Sequence, residues 1–120
     1  GAPFVSAVGV CRASMAAAMS AKKIGELIKA GKVPPELARY GNTVDELFSD
    51  LPELRGLYGE QANTFSTGAI GVYSYLNRLA YGLRHFAALN RKFDVRYIER
   101  RDIFPLTRDA LDLLNGTWMK

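Results

Sequence analysis

A single hydrophobic stripe constrains this chain more than any other feature. Phe65, Ala69, Val72, Leu76, Leu79, Leu83 and Phe86 recur at spacings of 4, 3, 4, 3, 4 and 3 residues. Tyr73, Ala80 and Ala87 widen the stripe, while Ser74, Arg78, Tyr81 and His85 fall on other faces. A period near 3.6 held this long specifies an amphipathic α-helix. We expect it over about 68–92, with Ser66 or Thr67 as N-cap. At about 1.5 Å per residue it is roughly 37 Å long, enough to cross a small domain. The spacing resembles a coiled-coil seam but lasts only about three heptads, so it predicts burial in a bundle rather than a free zipper. Burying the seven stripe residues would contribute on the order of 10 kcal/mol, most of it offset by chain entropy.

Shorter helices are expected around this element. From Ser14, the residues Met15, Met19, Ile24, Leu27 and Ile28 fall broadly on one helical face, and Gly31 followed by Pro34–Pro35 ends the run. A short turn over Pro35 to Tyr40 uses proline at its first position and stops at Gly41. Thr43 and Glu46 have capping-box spacing and open a helix through Leu51, with Val44, Leu47, Phe48 and Leu51 as its apolar members. Pro52 starts a further piece carrying Leu54, Leu57 and Tyr58 that ends near Gly59. Asp94 to Phe104 reads as an extended, basic connection, with a short edge strand as the alternative. Pro105 then starts a last helix, with Thr107 as cap, Ala110, Leu111, Leu113 and Leu114 as apolar face, and Asn115–Gly116 as stop. The expected fold class is all-α. It comprises an extended apolar N-terminal arm over 1–13, a single helical domain over 14–120 and a C-terminal tail. Trp118 in that tail docks back or onto a partner.

Residue types that carry chemistry are sparse. A chain of 120 residues suits one domain, and 48% hydrophobic with 23% charged residues excludes an intrinsically disordered chain. The one cysteine, Cys11, can form neither an internal disulfide nor a cysteine-rich zinc site. It stands beside Arg12, but no histidine or second cysteine is near it in sequence to activate it. The one histidine, His85, excludes every two-histidine metal motif and has no orienting partner in sequence for acid–base work. Among the clustered acids Asp45, Glu46, Asp50 and Glu53, the first two suit a helix N-terminus, and none belongs to a Glu-x-x-His ligand set. Gly68 and Gly71 form a Gly-x-x-Gly with no preceding strand, which points to close packing of another backbone rather than to a phosphate loop. Tyr73, Tyr75 and Tyr81 read as core edge and surface. The sequence therefore predicts no catalytic residue, no cofactor and no metal site.

Charge divides unevenly. Residues 1–60 hold seven basic and seven acidic side chains, whereas residues 61–120 hold nine basic and five acidic, so the whole surplus of +4 lies in the second half. Seven of those nine are arginines, whose planar forks suit carboxylates and phosphates. Arg78, Arg84, Arg91, Lys92, Arg96, Arg100 and Arg101, together with Trp118, are the candidate partner contacts. Two readings stay open: a solvated face ion-paired to Asp94, Glu99 and Asp102, or a surface for an acidic partner or phosphate. Residues 1–25 contain no acid, only Arg12, Lys22 and Lys23 among alanines and serines, which is the composition of an organelle transit peptide. With Gly1 rather than Met in first place, either a trimmed chain or a non-native start over Gly1–Pro3 is expected. The apolar stretch Gly1 to Met19 is too rich in small residues, and too interrupted by Arg12, to span a bilayer. As an arm it would lie against a partner chain or a lipid surface.

These features predict a non-catalytic accessory subunit of a large organellar complex, in general style similar to the helical accessory subunits of respiratory complexes, an analogy of style alone. The expected setting is mitochondrial, inner-membrane-associated or matrix, with a plastid as alternative. Its expected partners are other protein subunits, with lipid contact as an addition. An RNA-binding subunit such as an organellar ribosomal protein is the alternative, and a small-molecule or redox enzyme comes third.

Overall fold

The computed structural model describes residues 7–116, and no strand occurs among the described residues. Six α-helices follow in order: α1 (Ala13–Lys29), α2 (Pro35–Ala38), α3 (Val44–Leu47), α4 (Leu51–Tyr58), α5 (Thr67–Leu89) and α6 (Arg108–Leu114). A 3-10 helix over Gly59–Thr64 joins α4 to α5, and two 3-10 turns, Val95–Tyr97 and Arg100–Asp102, lie between α5 and α6. The fold is all-α, with one long helix and shorter ones packed against it. None of the described helices is long and apolar enough to cross a membrane. Residues 7–10 have no regular structure. The rest of the predicted arm (1–6) and Trp118 lie outside the described residues.

Local chemistry explains the helix ends, including those that differ from expectation. Gly31 adopts φ 65° after α1, and the N–H groups of Lys32 and Gly31 bond the carbonyls of Leu27 and Ile28, as the Gly31 stop predicts. Ser66 Oγ accepts the Ala69 N–H at 3.2 Å and caps α5. That helix ends at Leu89, three residues before the expected Lys92. Arg91 takes the left-handed conformation at φ 55°, and the N–H groups of Lys92 and Arg91 turn back to the carbonyls of Ala87 and Ala88. The same terminating motif thus closes α1 and α5, once with glycine and once with arginine. The Thr43–Glu46 capping box is present, but the helix it opens does not run through Leu51. Pro52 has no N–H for the Phe48 carbonyl, and its ring would clash there. Phe48 leaves helical geometry, its carbonyl takes the Leu51 N–H in a turn, and α4 begins afresh. Asp94 to Phe104 is neither extended throughout nor an edge strand, because Asp94 and Glu99 each cap a 3-10 turn.

The packing divides the chain into two compact units, and the 14–120 span read as one helical domain contains the division, at Ala80–Tyr81. The first unit, Gly9–Ala80, has a core of Ala21, Phe48, Leu51, Leu54, Ala62 and Ile70. Ile24, Ile28, Val44, Leu47, Phe65 and Tyr73 pack on it. Here the hydrophobic stripe misplaces the buried face of α5. Ile70, absent from the stripe, is only 2% exposed, whereas stripe residues Leu76 and Leu79 stand exposed. The approach of α1 settles the matter. A Cβ on Gly71 would lie 2.2 Å from the Ala21 Cβ, and one on Gly68 would lie 3.2 Å from the Ala18 carbonyl oxygen. Gly25 of α1 similarly meets the Thr67 side chain. The two helices touch through alanine and glycine, close backbone packing of the kind the Gly68/Gly71 spacing suggests.

The second unit comprises Gly1–Val8 and Tyr81–Lys120, of which residues 7–8 and 81–116 are described. Among its described residues only Ala87 is buried. Leu83, Phe86, Leu89, Phe93, Phe104, Leu106 and Leu113 are all exposed. The burial energy expected of the whole stripe is therefore not realised among the described residues.

Candidate docking surface

The basic residues of the second half fall into two groups. In the first, the segment after α5 is clasped by ion pairs. Lys92 Nζ bonds Asp102 Oδ2 and lies 3.8 Å from Glu99 Oε1. With side chains 15% and 10% exposed, Lys92 and Asp102 form the best-shielded ion pair among the described residues. Asp102 also accepts the Glu99 N–H at 2.6 Å. The Lys92 ammonium, aided by that N–H, holds the Asp102 carboxyl below its ordinary range. Arg96 donates Nη2 and Nε to Asp94 Oδ2 at 2.8 and 3.0 Å, which depresses the Asp94 carboxyl and raises the arginine. Arg101 pairs with Glu99 at 2.9 Å, and Arg100 Nη1 donates to the Leu114 carbonyl at the end of α6 at 2.7 Å. Lys92, Arg96 and Arg101 thus follow the ion-paired reading, with the three acids it named.

The second group consists of Arg78, Arg84 and Arg91, all exposed. Arg84 stacks over the Tyr81 ring at 5.5 Å, and no carboxylate among the described residues pairs with any of the three. The sequence holds a sign of this that residue counting by halves passes over: no Asp or Glu occurs between Glu60 and Asp94. All of α5 is acid-free. Four of the exposed apolar residues of the second unit stand near two of these arginines in sequence: Leu83 and Phe86 lie on either side of Arg84, and Leu89 and Phe93 on either side of Arg91. Exposed apolar side chains interleaved with arginine are the composition of protein-docking surfaces, where aromatic residues and arginine are enriched.

Elsewhere the chemistry is thin. Cys11 is exposed, with a positive φ of 50°. Among the described residues no group of three His, Cys, Asp or Glu side chains could share a metal ion. In the first unit an open groove of about 1000 Å³ is lined by Met19, Lys22, Val44, Arg55, Phe65 and the start of α5, among others. Arg55 there is bound to Asp45, whose carboxylate raises the guanidinium further, and it donates Nε to Asn63 Oδ1 at 2.9 Å. No family model, curated protein or solved structure matches the chain.

Proposed function

We propose that the chain is a non-catalytic accessory subunit that holds neighbouring proteins in a large organellar assembly, with a mitochondrial membrane complex as its setting. One observation carries the reading: the second unit has helices, caps and ion pairs but, among its described residues, buries only Ala87. A folded segment of this length exposing Leu89, Phe93, Phe104 and Leu106 has almost no core to offset the entropy of ordering it. A partner that covers those side chains supplies the missing burial and stabilises the segment by mass action. Obligate interfaces have this character, resembling a core divided between two chains. The first unit has its own core and serves as the anchor. The mitochondrial setting rests on composition alone, the acid-free, basic and alanine- and serine-rich residues 1–25. An RNA-binding role draws less support, because Lys92, Arg96 and Arg101 are neutralised by acids of the same loop.

Native fractionation of cell extracts, with the chain followed by antibody, tests the proposal. The chain should sediment with a large assembly in the mitochondrial fraction and stay there after ribonuclease treatment. Migration as a free monomer overturns it. Release by ribonuclease would instead support the ribosomal alternative.

A further inference from the structure

Residues 1–60 are neutral as a whole only because two opposite blocks cancel. Residues 1–32 carry five basic side chains and one acid, and residues 33–60 carry two basic side chains and six acids. The basic block is α1 with its flanks: Arg12, Lys22, Lys23, Lys29 and Lys32, all exposed. Its one acid, Glu26, lies 3.9 Å from Lys23. No carboxylate among the described residues pairs with the other four. Acids of the following block are engaged elsewhere: Asp45 by Arg55, Glu46 in the Thr43 cap, Glu53 by Asn77 and Glu60 by Asn63.

The cations share a face with exposed apolar side chains. Met15, Met19, Lys22, Glu26 and Lys29 follow one another at spacings of 4, 3, 4 and 3, a single helical stripe, and Lys23 adjoins it. The stripe points away from Ala21, which is buried where α1 meets Gly71 of α5. Met15 and Met19 are 62% and 66% exposed, and Val10, just before the helix, is exposed as well. Met19, Lys22, Glu26 and Lys29 also line the open groove, where the other acid, Asp45, is held by Arg55. All these residues belong to the first unit.

Side-chain type chooses what covers this face. Lysine is depleted at protein interfaces, yet four of the five cations are lysine. An RNA backbone would accept the lysines but offers the methionines nothing, and a second copy would set cation against cation. An anionic bilayer accepts both kinds of side chain. Lysine stems lie along apolar surface while their ammonium groups reach lipid phosphates, and the apolar residues of a surface helix enter the boundary between headgroups and acyl chains. Clusters of about four or more cations on such a helix suit anionic lipids. No described helix is apolar enough to cross the bilayer, so the contact is with its surface.

We propose that the outer face of α1 lies on an anionic membrane surface, with Met15 and Met19 in the headgroup–acyl boundary and Lys22, Lys23 and Lys29 on lipid phosphates. The inference stands on the first unit alone and goes beyond the accessory-subunit reading, which stands on the second.

Cys11, exposed and the only cysteine of the chain, lies two residues before α1 and takes a nitrobenzoxadiazole dye that reports an apolar surrounding. The labelled full chain is titrated with vesicles of phosphatidylserine and phosphatidylcholine in equal parts, and with phosphatidylcholine alone. The mixed vesicles should shift the dye emission to the blue, less so as salt screens the charges, and phosphatidylcholine alone should not. Lys22→Gln with Lys23→Gln should weaken binding by roughly 25-fold, at about fivefold per cation. Met15→Ser with Met19→Ser should weaken it as well, and Arg84→Gln with Arg91→Gln in the second unit should leave it unchanged. The substituted residues are exposed, and circular dichroism confirms that each variant keeps its helices. No binding to mixed vesicles, equal binding to both kinds, no loss in the double lysine variant, or tighter binding to polyuridylate RNA than to vesicles overturns the inference. A chain that sediments with an assembly but ignores vesicles loses only the membrane contact, whereas a free monomer that binds them keeps it and loses the subunit role.

Discussion

The contact between α1 and α5 gives the sharpest test of how this fold is held. Replacing Gly71 by alanine places a methyl carbon 2.2 Å from the Ala21 Cβ and 3.0 Å from the Ala17 carbonyl oxygen. Carbon atoms pack at about 3.5–4.0 Å, so the helices must part by more than about 1 Å. That separation loosens the packing around Ala21 and Ile70, both in the core. Intrinsic helix propensity pulls the other way, since alanine is favoured over glycine in a helix by about 1 kcal/mol. Overpacking costs about 1–3 kcal/mol. With backbone and Cβ atoms as the obstacles, the upper part of that range applies, and Gly71→Ala should lose about 1–2 kcal/mol net. At about 4–8 °C per kcal/mol for a unit of this size, Tm falls by roughly 5–15 °C. Gly56 in α4 is the control, because a Cβ there meets nothing within 4 Å, so Gly56→Ala should gain up to about 1 kcal/mol. Urea and thermal unfolding followed by far-ultraviolet circular dichroism read both. The double variant Gly71→Ala with Ala21→Gly should be less destabilised than the sum of its parts, because it removes one of the colliding atoms. A stabilised Gly71→Ala, or strict additivity in the double variant, would refute the close-contact account.

Two further predictions concern the segment after α5. Arg91 holds φ 55° at the position where glycine is preferred, a conformation that costs an L-residue about 1 kcal/mol. Arg91→Gly should slow exchange of the Lys92 amide, which bonds the Ala87 carbonyl, by about fivefold; faster exchange contradicts the assignment. The Lys92–Asp102 clasp should respond to acid. The Asp102 carboxyl is depressed chiefly by Lys92, as Asp94 is by Arg96, so the folded loop binds fewer protons than the unfolded chain. Its contribution is complete above the ordinary carboxylate range near about pH 4 and is lost as pH falls through the depressed value. Exchange protection of the Glu99 amide, which donates to Asp102, should hold between about pH 5 and 8 and drop below about pH 4. Asp102→Asn should flatten the Lys92-dependent part of that decline, leaving the part due to Asp94.

What the sequence made legible was the part written in strong local signals. Gly31, the Thr43–Glu46 pair and Thr107 each mark a helix boundary through one hydrogen-bonding group or one φ value, and each is found in that role. The Phe48–Leu51 break was also in the sequence, in Pro52, but the i, i+3, i+4, i+7 spacing of Val44 to Leu51 outweighed it. Arg91 could not be foreseen as a helix stop, since nothing about arginine favours φ 55° and the turn depends on the carbonyls of Ala87 and Ala88. Of the candidate contacts, the split between clasped and open cations depends on a chain reversal that brings Lys92 to Asp102, ten residues on. Counting charge along the chain shows the surplus but not that pairing.

The misplaced face of α5 has a different cause. Hydropathy weighs a position by how much apolar surface its side chain could bury, so Gly68 and Gly71 contribute almost nothing to the pattern, although the nearest helix sits against them. Small residues bring two backbones close together, and the pair then turns Ile70 inward and leaves Leu76 and Leu79 outside. A leucine stripe that continues through Leu83 and Phe86, both exposed among the described residues, is costly to solubility unless something covers it. On the accessory-subunit reading proposed above, the periodicity records two burial events, one against α1 and one against a partner chain. The spacing alone cannot separate them. Acid depletion can: the stripe lies in a stretch without Asp or Glu from Gln61 to Phe93, where a helix facing only water would have every reason to carry both signs of charge.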